Sequence, residues 1–156
     1  MEIMSKAKPV PEGYHTVTPY MHVRDAARAI EFYKKAFGAV ELFRHADPQG
    51  KVGHAEIRIG DSHIMLSDEF PPKDALGPQS RGGCTMTLML YVENVDTLFN
   101  QAVAAGAAVI QPLADQFYGD RTGGVKDPFG QVWYLATHIE DVSPEEVQRR
   151  AAAAGR

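Results

Sequence analysis

The chain of 156 residues is poor in several things, and each scarcity narrows what it can be. Cys84 is its only cysteine, so no disulfide can close within the chain. That fits a reducing compartment, and the expectation is a cytoplasmic protein. No apolar run approaches the ~18–20 residues that a membrane-spanning helix needs. The opening "MEIMSKAKPVPEGYH" lacks the long apolar segment of a secretory signal, and its Lys and Pro residues read as a flexible lead over 1–13. An excess of positive charge is missing too. The 16 Lys and Arg against 20 Asp and Glu leave a net charge of −4, which argues against a nucleic-acid surface. No GxxxxGK[ST], no strand-borne GxGxxG and no GxSxG occurs, so Gly119, Gly123 and Gly124 do not read as a phosphate loop.

What remains is an ordinary globular composition, 44% hydrophobic and 23% charged. The length suits one domain, or two small halves that share a core. "TVTPYMHV" alternates like a strand. Asp25 then reads as the N-cap of a helix, "DAARAIEFYKKAFGA", with Ala26, Ile30, Tyr33 and Phe37 at helical spacing and Gly38 as its C-cap. Phe32, Tyr33 and Phe37 read as a core face. Three strand candidates follow, "VELFRHA", "VGHAEIRI" and "SHIMLSD", with Gly60-Asp61 as a tight turn between the last two.

After the Pro- and Gly-rich stretch "EFPPKDALGPQSRGG" the programme repeats. "CTMTLMLYV" reads as a strand, and "NVDTLFNQAVAAGA" as a helix from Asn94 to Gly106. "AVIQPLA", "RTGGVKD" and "QVWYLATH" give three more strands. The pairs Val23–Asp25 and Val92–Asn94, Gly38 and Gly106, and Gly60 and Gly130 recur at a near-constant offset of about 70 residues. The predicted organisation is α+β: two βαβββ modules, 14–70 and 83–140, joined by a linker, 71–82. Their eight strands would form a curved mixed sheet with helices outside. The tail, 141–156, reads as a helix with Ser143 as N-cap, Pro144 first, and Glu146 completing a capping box.

A curved sheet lined by alternate residues makes a natural small-molecule trough. His54, Glu56 and Arg58 share one strand face, opposite the apolar set Ala55, Ile57 and Ile59. Glu56 and Arg58 could instead simply neutralise each other. In "DPFGQVWYLATH" parity sends Trp133 and Tyr134 to opposite faces, so a Tyr134 in the trough puts Trp133 under a helix. "YGDRTGG" reads either as a turn held by an Asp–Arg pair or as a pocket rim where Arg121 meets a carboxylate or phosphate. Cys84 has no adjacent His and reads as a buried, inert thiol. His22 and His45 read as solvated. His15 and His138 sit near outer strand ends, with no acidic partner evident from the sequence.

The duplicated pattern resembles the vicinal oxygen chelate superfamily of glyoxalase I, extradiol dioxygenases and bleomycin-resistance proteins. "GHAEIRIGDSHIMLSDE" and "FYGDRTGGVKDPFGQVWYLATH" are similar to its PhnB-like branch. The resemblance implies a paired βαβββ fold, often a homodimer, and in the metalloenzymes a divalent ion held by four side chains that chelates two substrate oxygens. The positions that correspond to those ligands fall on Thr18, Glu56, Thr87 and Tyr134, and only Glu56 is a strong ligand type. The expectation is therefore a binding protein with a degenerate metal site and no required cofactor. Its small organic ligand, with an anionic or hydroxylated end, would meet Thr18, Tyr20, His54, Glu56, Thr87, Met89, Tyr118, Arg121 and Tyr134. The alternative is a metal-dependent lyase, isomerase or dioxygenase that recruits its ion through His54, Glu56 and a further ligand, with Glu56 as general base.

Overall fold

A computed structural model describes residues 6–156; the expected lead over 1–13 begins outside them. The first module is β1 (Tyr20–Val23), α1 (Ala26–Phe37), β2 (Val40–Ala46), β3 (Val52–Ile59) and β4 (Ser62–Asp68). A 3-10 turn (Pro71–Lys73) and the single-turn α2 (Pro78–Arg81) lead to the second module. That consists of β5 (Leu88–Tyr91), α3 (Val95–Ala105), β6 (Ala108–Asp115), β7 (Asp120–Lys126) and β8 (Val132–His138), with α4 (Pro144–Ala153) after it. The eight strands hydrogen-bond as two mixed sheets of four, ordered β1-β4-β3-β2 and β5-β8-β7-β6. In each, the first and last strands of the module run parallel and the remaining neighbours antiparallel.

The helix ends follow from local chemistry. Asp25 accepts from the Arg28 amide at 3.2 Å, and Gly38 closes α1 at φ 68°. Asn94 accepts from the Thr97 amide at 3.2 Å at the start of α3, and Gly106 ends it. Ser143 caps α4 through the Glu146 amide, while the Glu146 carboxylate is held by Arg149 and Arg150. Each module adds a second anchor. The Ala26 amide donates to Asp68 at the end of β4, at 3.0 Å. The Val95 amide donates to the Thr137 hydroxyl near the end of β8, at 2.9 Å.

Both module-opening strands start later than the alternation predicts. Pro19 has no N–H to give, and only its carbonyl engages β4, through the Met65 amide. Ahead of β5, the Gln131 side chain takes the role of a strand neighbour and donates to the Met86 carbonyl at 2.9 Å.

One core serves both modules. Helix α1 buries Ile30, Tyr33 and Phe37. The rings of Tyr33 and Phe37 lie 5.3 and 4.7 Å from that of Trp133, on the last strand of the other module. Trp133 has no exposed surface. Asp127 sits beside it at the head of the "DPFG" turn. It accepts from Tyr33 Oη (2.6 Å), Trp133 Nε1 (2.9 Å) and the amides of Phe129 and Gln131 (2.8 and 3.0 Å). Burial pushes its carboxyl up from the usual range, and the four donors oppose that shift.

Candidate functional site

Strand parity sorts the side chains that matter here. In β3, Ala55, Ile57 and Ile59 are buried, and His54 and Glu56 stand on the opposite, open face. Tyr20 and His22 of β1 join them there, because Met21 and Val23 take the buried side. Phe43 and Met65 pair across from Glu56 on the two neighbouring strands.

Two tyrosines organise this face. Tyr20 Oη and His54 Nδ1 are 2.8 Å apart. Tyr14 comes from the segment ahead of β1 and donates to Glu56 Oε1 at 2.5 Å. Burial and the bond to Glu56 push its phenol up to about 12. His54 Nε2 and Glu56 Oε2 remain, 3.9 Å apart. Arg58 makes no ion pair with Glu56 among the described residues; it lies opposite His63. Sequence reasoning missed Tyr14 because nothing local links it to a glutamate 42 residues away.

The remaining expected residues separate. Thr18 is half-buried ahead of β1, near the His15 carbonyl. It lines a narrow cleft of about 180 Å3 between the modules together with Met89. Thr87 lies just ahead of β5 and is exposed. Met89 pairs with Tyr134, which lies over Gly124. A Cβ on Gly124 would stand 3.0 Å from the Tyr134 ring, and one on Gly123 would stand 2.7 Å from Phe99 of α3. The glycine pair therefore makes room for a ring on each side of β7.

Arg121 corrects the expectation of a pocket rim. It shares its sheet face with Gly123 and Val125, the helix side, and forks onto Asp96 of α3 at 2.9 and 2.8 Å. A third bond reaches Asp115 at 3.1 Å. It is a tie between sheet and helix, which leaves its guanidinium turned from the Tyr134 face. Cys84 is likewise half-buried rather than buried, in the irregular segment before β5.

The acidic partner that sequence reasoning could not find for His138 is Asp120, the residue before Arg121, pointing the other way. Asp120 is buried and accepts from Tyr91 Oη at 2.6 Å. Its other oxygen meets His138 Nδ1 at 2.8 Å, and His138 Nε2 meets Asp141 at 2.7 Å. Tyr118 stands near this group; burial and the Asp120 charge raise its phenol. Asp120 and then Asp141 raise His138 above the usual imidazole value. The folded state thus binds the proton more tightly than the unfolded chain, so this stabilisation is full below pH ~6.5 and lost as pH rises through the folded value. In thermal melts from pH 5.5 to 8.5, the advantage of the native chain over His138→Gln should shrink as pH rises. A pH-independent gap would contradict the charged bridge.

The comparisons with known proteins agree with this architecture. The model of the glyoxalase/bleomycin resistance protein/dioxygenase superfamily matches residues 14–135. Uncharacterized protein Mb0911c of Mycobacterium bovis is 43% identical over 142 residues, which cover 89% of this chain and 93% of that one. TioX from Micromonospora sp. ML1 superposes with a TM-score of 0.64 at 25% identity, over 80% of this chain and 99% of its own. A PhnB protein from Bacillus cereus shares the fold, with a TM-score of 0.63 at 20% identity over 79% of this chain and 99% of its own. With the duplicated modules and the matched residues together, the chain belongs to the glyoxalase/bleomycin resistance protein/dioxygenase superfamily.

Proposed function

We propose that this protein is a PhnB-like member of its superfamily that binds a small organic ligand on the open face of the first sheet, without a metal at the family position. The observation that carries the reading is the double tyrosine clamp, Tyr14 on Glu56 and Tyr20 on His54. It fixes two polar groups in orientation while leaving one nitrogen and one oxygen free for a ligand's hydroxyl or amide. Glu56 is also the group on this face suited to accept a proton from a bound substrate. The donor set at the family's metal positions does not fit a transition metal. Thr18, Thr87 and Tyr134 supply hydroxyls, and only Glu56 supplies a carboxylate.

The test is differential scanning fluorimetry against small hydroxylated and aromatic compounds. A ligand at 100 times its Kd stabilises the native state by ~2.7 kcal/mol. Glu56→Gln and Tyr20→Phe should each weaken that ligand roughly tenfold, as expected for one lost hydrogen bond. No stabilising compound, or undiminished binding in both variants, would count against the reading.

A second reading rests on the 3.9 Å approach of His54 Nε2 to Glu56 Oε2. Those two groups could recruit a divalent ion, with a further ligand, for lyase, isomerase or dioxygenase chemistry. Stoichiometric zinc, nickel, iron or manganese in the purified protein would replace the first reading with this one.

The protein is further proposed to work as a cytoplasmic homodimer. Met89 and Tyr91 on the second sheet are exposed, and a second copy would cover such apolar area. Light scattering should give twice 17.1 kDa. Among the described residues, no helix is long and apolar enough to cross a membrane.

A further inference from the structure

The open face of the first sheet runs into a cavity of about 500 Å3. Its walls include Tyr20 and His22 of β1, His45 of β2, Lys51 before β3, and Phe70 and Lys73 beyond β4. Three carboxylates also border it; Asp68 and Glu69 are engaged through both oxygens by donors of the chain itself, and Asp47 through its Oδ1. Asp47 accepts from the Gln49 and Lys51 amides, both at 2.9 Å. The two oxygens of Asp68 accept from the Ala26 and Val52 amides, at 3.0 and 2.6 Å. Glu69 accepts from the Gly77 amide and the Ser80 hydroxyl, with Arg24 beside it.

The cations have no such partners. Lys51 and Lys73 form no ion pair among the described residues, and Lys73 Nζ stands 6.0 Å from the centroid of the Phe70 ring. His22 is fixed in one tautomer. The Ser67 hydroxyl donates to the Asp68 carbonyl at 2.9 Å, so it accepts from His22 Nδ1 at 3.0 Å. Nε2 of the neutral ring is then an acceptor. Burial, and after it the Arg81 charge, hold His22 below the usual imidazole value and keep it neutral at pH 7.

We infer that this cavity receives the anionic end of a small aromatic acid, a carboxylate or phosphonate, with Lys51 and Lys73 pairing with the acid group and Tyr20 and Phe70 flanking the ring. His22 Nε2 accepts from a hydroxyl on the same ligand. This rests on the reading of the first sheet as a ligand face, and it supplies the chemical class. The role that the sequence suggested for Arg121 passes to Lys51 of the first module and Lys73 of the connection between modules.

The experiment is calorimetric titration of the whole chain with benzoate, phenylphosphonate, benzamide and benzylamine. At least one of the two acids should bind saturably, and more weakly as salt rises. Benzoate against phenylphosphonate separates carboxylate from phosphonate. Benzamide and benzylamine should bind at least tenfold more weakly. Lys51→Ala and Lys73→Ala should each weaken the acid roughly tenfold, with melting temperatures unchanged because both side chains are exposed. Three results would overturn the inference: no binding by either acid, equal binding of benzamide, or acid binding unmoved in the double lysine variant. If benzamide binds in a manner that Glu56→Gln weakens and the lysine variants do not, the ligand face stands and the acid subsite falls. Acid binding that needs the lysines but ignores Glu56→Gln keeps the subsite and removes the wider face.

Discussion

Asp127→Ala should destabilise the protein by ~3–5 kcal/mol, because it leaves several buried donors without their acceptor. The substitution strands four donors at once: the Tyr33 phenol, the Trp133 indole N–H and the amides of Phe129 and Gln131. Each unsatisfied buried donor costs ~1–3 kcal/mol. The buried carboxylate has its own desolvation cost, which its raised pKa reports, so the four losses do not simply add. For a domain of this size the melting temperature should fall by ~6–20 °C. Asp127→Asn is the informative companion. Its carbonyl can still serve the turn amides, but its NH2 meets the phenol and the indole, so about half of the loss should remain. Urea denaturation measures both variants. A cost below ~1 kcal/mol for Asp127→Ala would mean that the two modules do not depend on this junction.

Gly119→Ala comes next in expected size. Gly119 holds φ 103°, and a Cβ there would stand 2.1 Å from the Glu140 carbonyl. The Gly119 carbonyl accepts from the Ile139 and Glu140 amides at 2.9 and 3.0 Å, so the crowding falls on backbone already committed to this turn. Positive φ alone costs a non-glycine residue ~1–2 kcal/mol. Displacing the 139–141 segment adds loss of the Glu140–Arg150 pair and of Asp141 on His138. The sum is ~3 kcal/mol or more. Gly60→Ala is the control, with φ 58° and no atom within 4 Å of the added carbon. It should show the conformational cost alone. Equal losses in the two variants would refute the steric account.

Those two sites mark how far the sequence could be read. Caps, turns and strand parity are local, and they were legible: Asp25, Gly38, Asn94 and Ser143 stand where their chemistry requires. Trp133 lies in the core because its neighbour Tyr134 faces the open side. The placement of His54 and Glu56 on one face follows from period two alone. Contacts between distant segments were not legible. "DPFG" announces a turn, but not that its aspartate receives a phenol from a helix 94 residues earlier. "GDR" offered an acid and a base as neighbours, yet alternation sends Asp120 to His138 and Arg121 to Asp96. Strand residues one apart cannot share a face, and the motif's appearance as a pair was misleading on that ground.

The doubled anchoring of the helices has a consequence for motion. In each module the last strand holds the first turn of the helix, through Asp68 on Ala26 and Thr137 on Val95. Each module thereby ties its beginning to its end and closes on itself like a clasp. Amide protons of the helix and of the last strand in either closure should then exchange together, because that strand cannot peel away without freeing the helix it holds. The connection from Pro71 to Thr87 lies outside both clasps. It carries Lys73 to the rim of the lysine-lined cavity, and its own ties, Gly77 and Ser80 on Glu69 and Gln79 on the Pro128 carbonyl, fasten the two closed halves to each other.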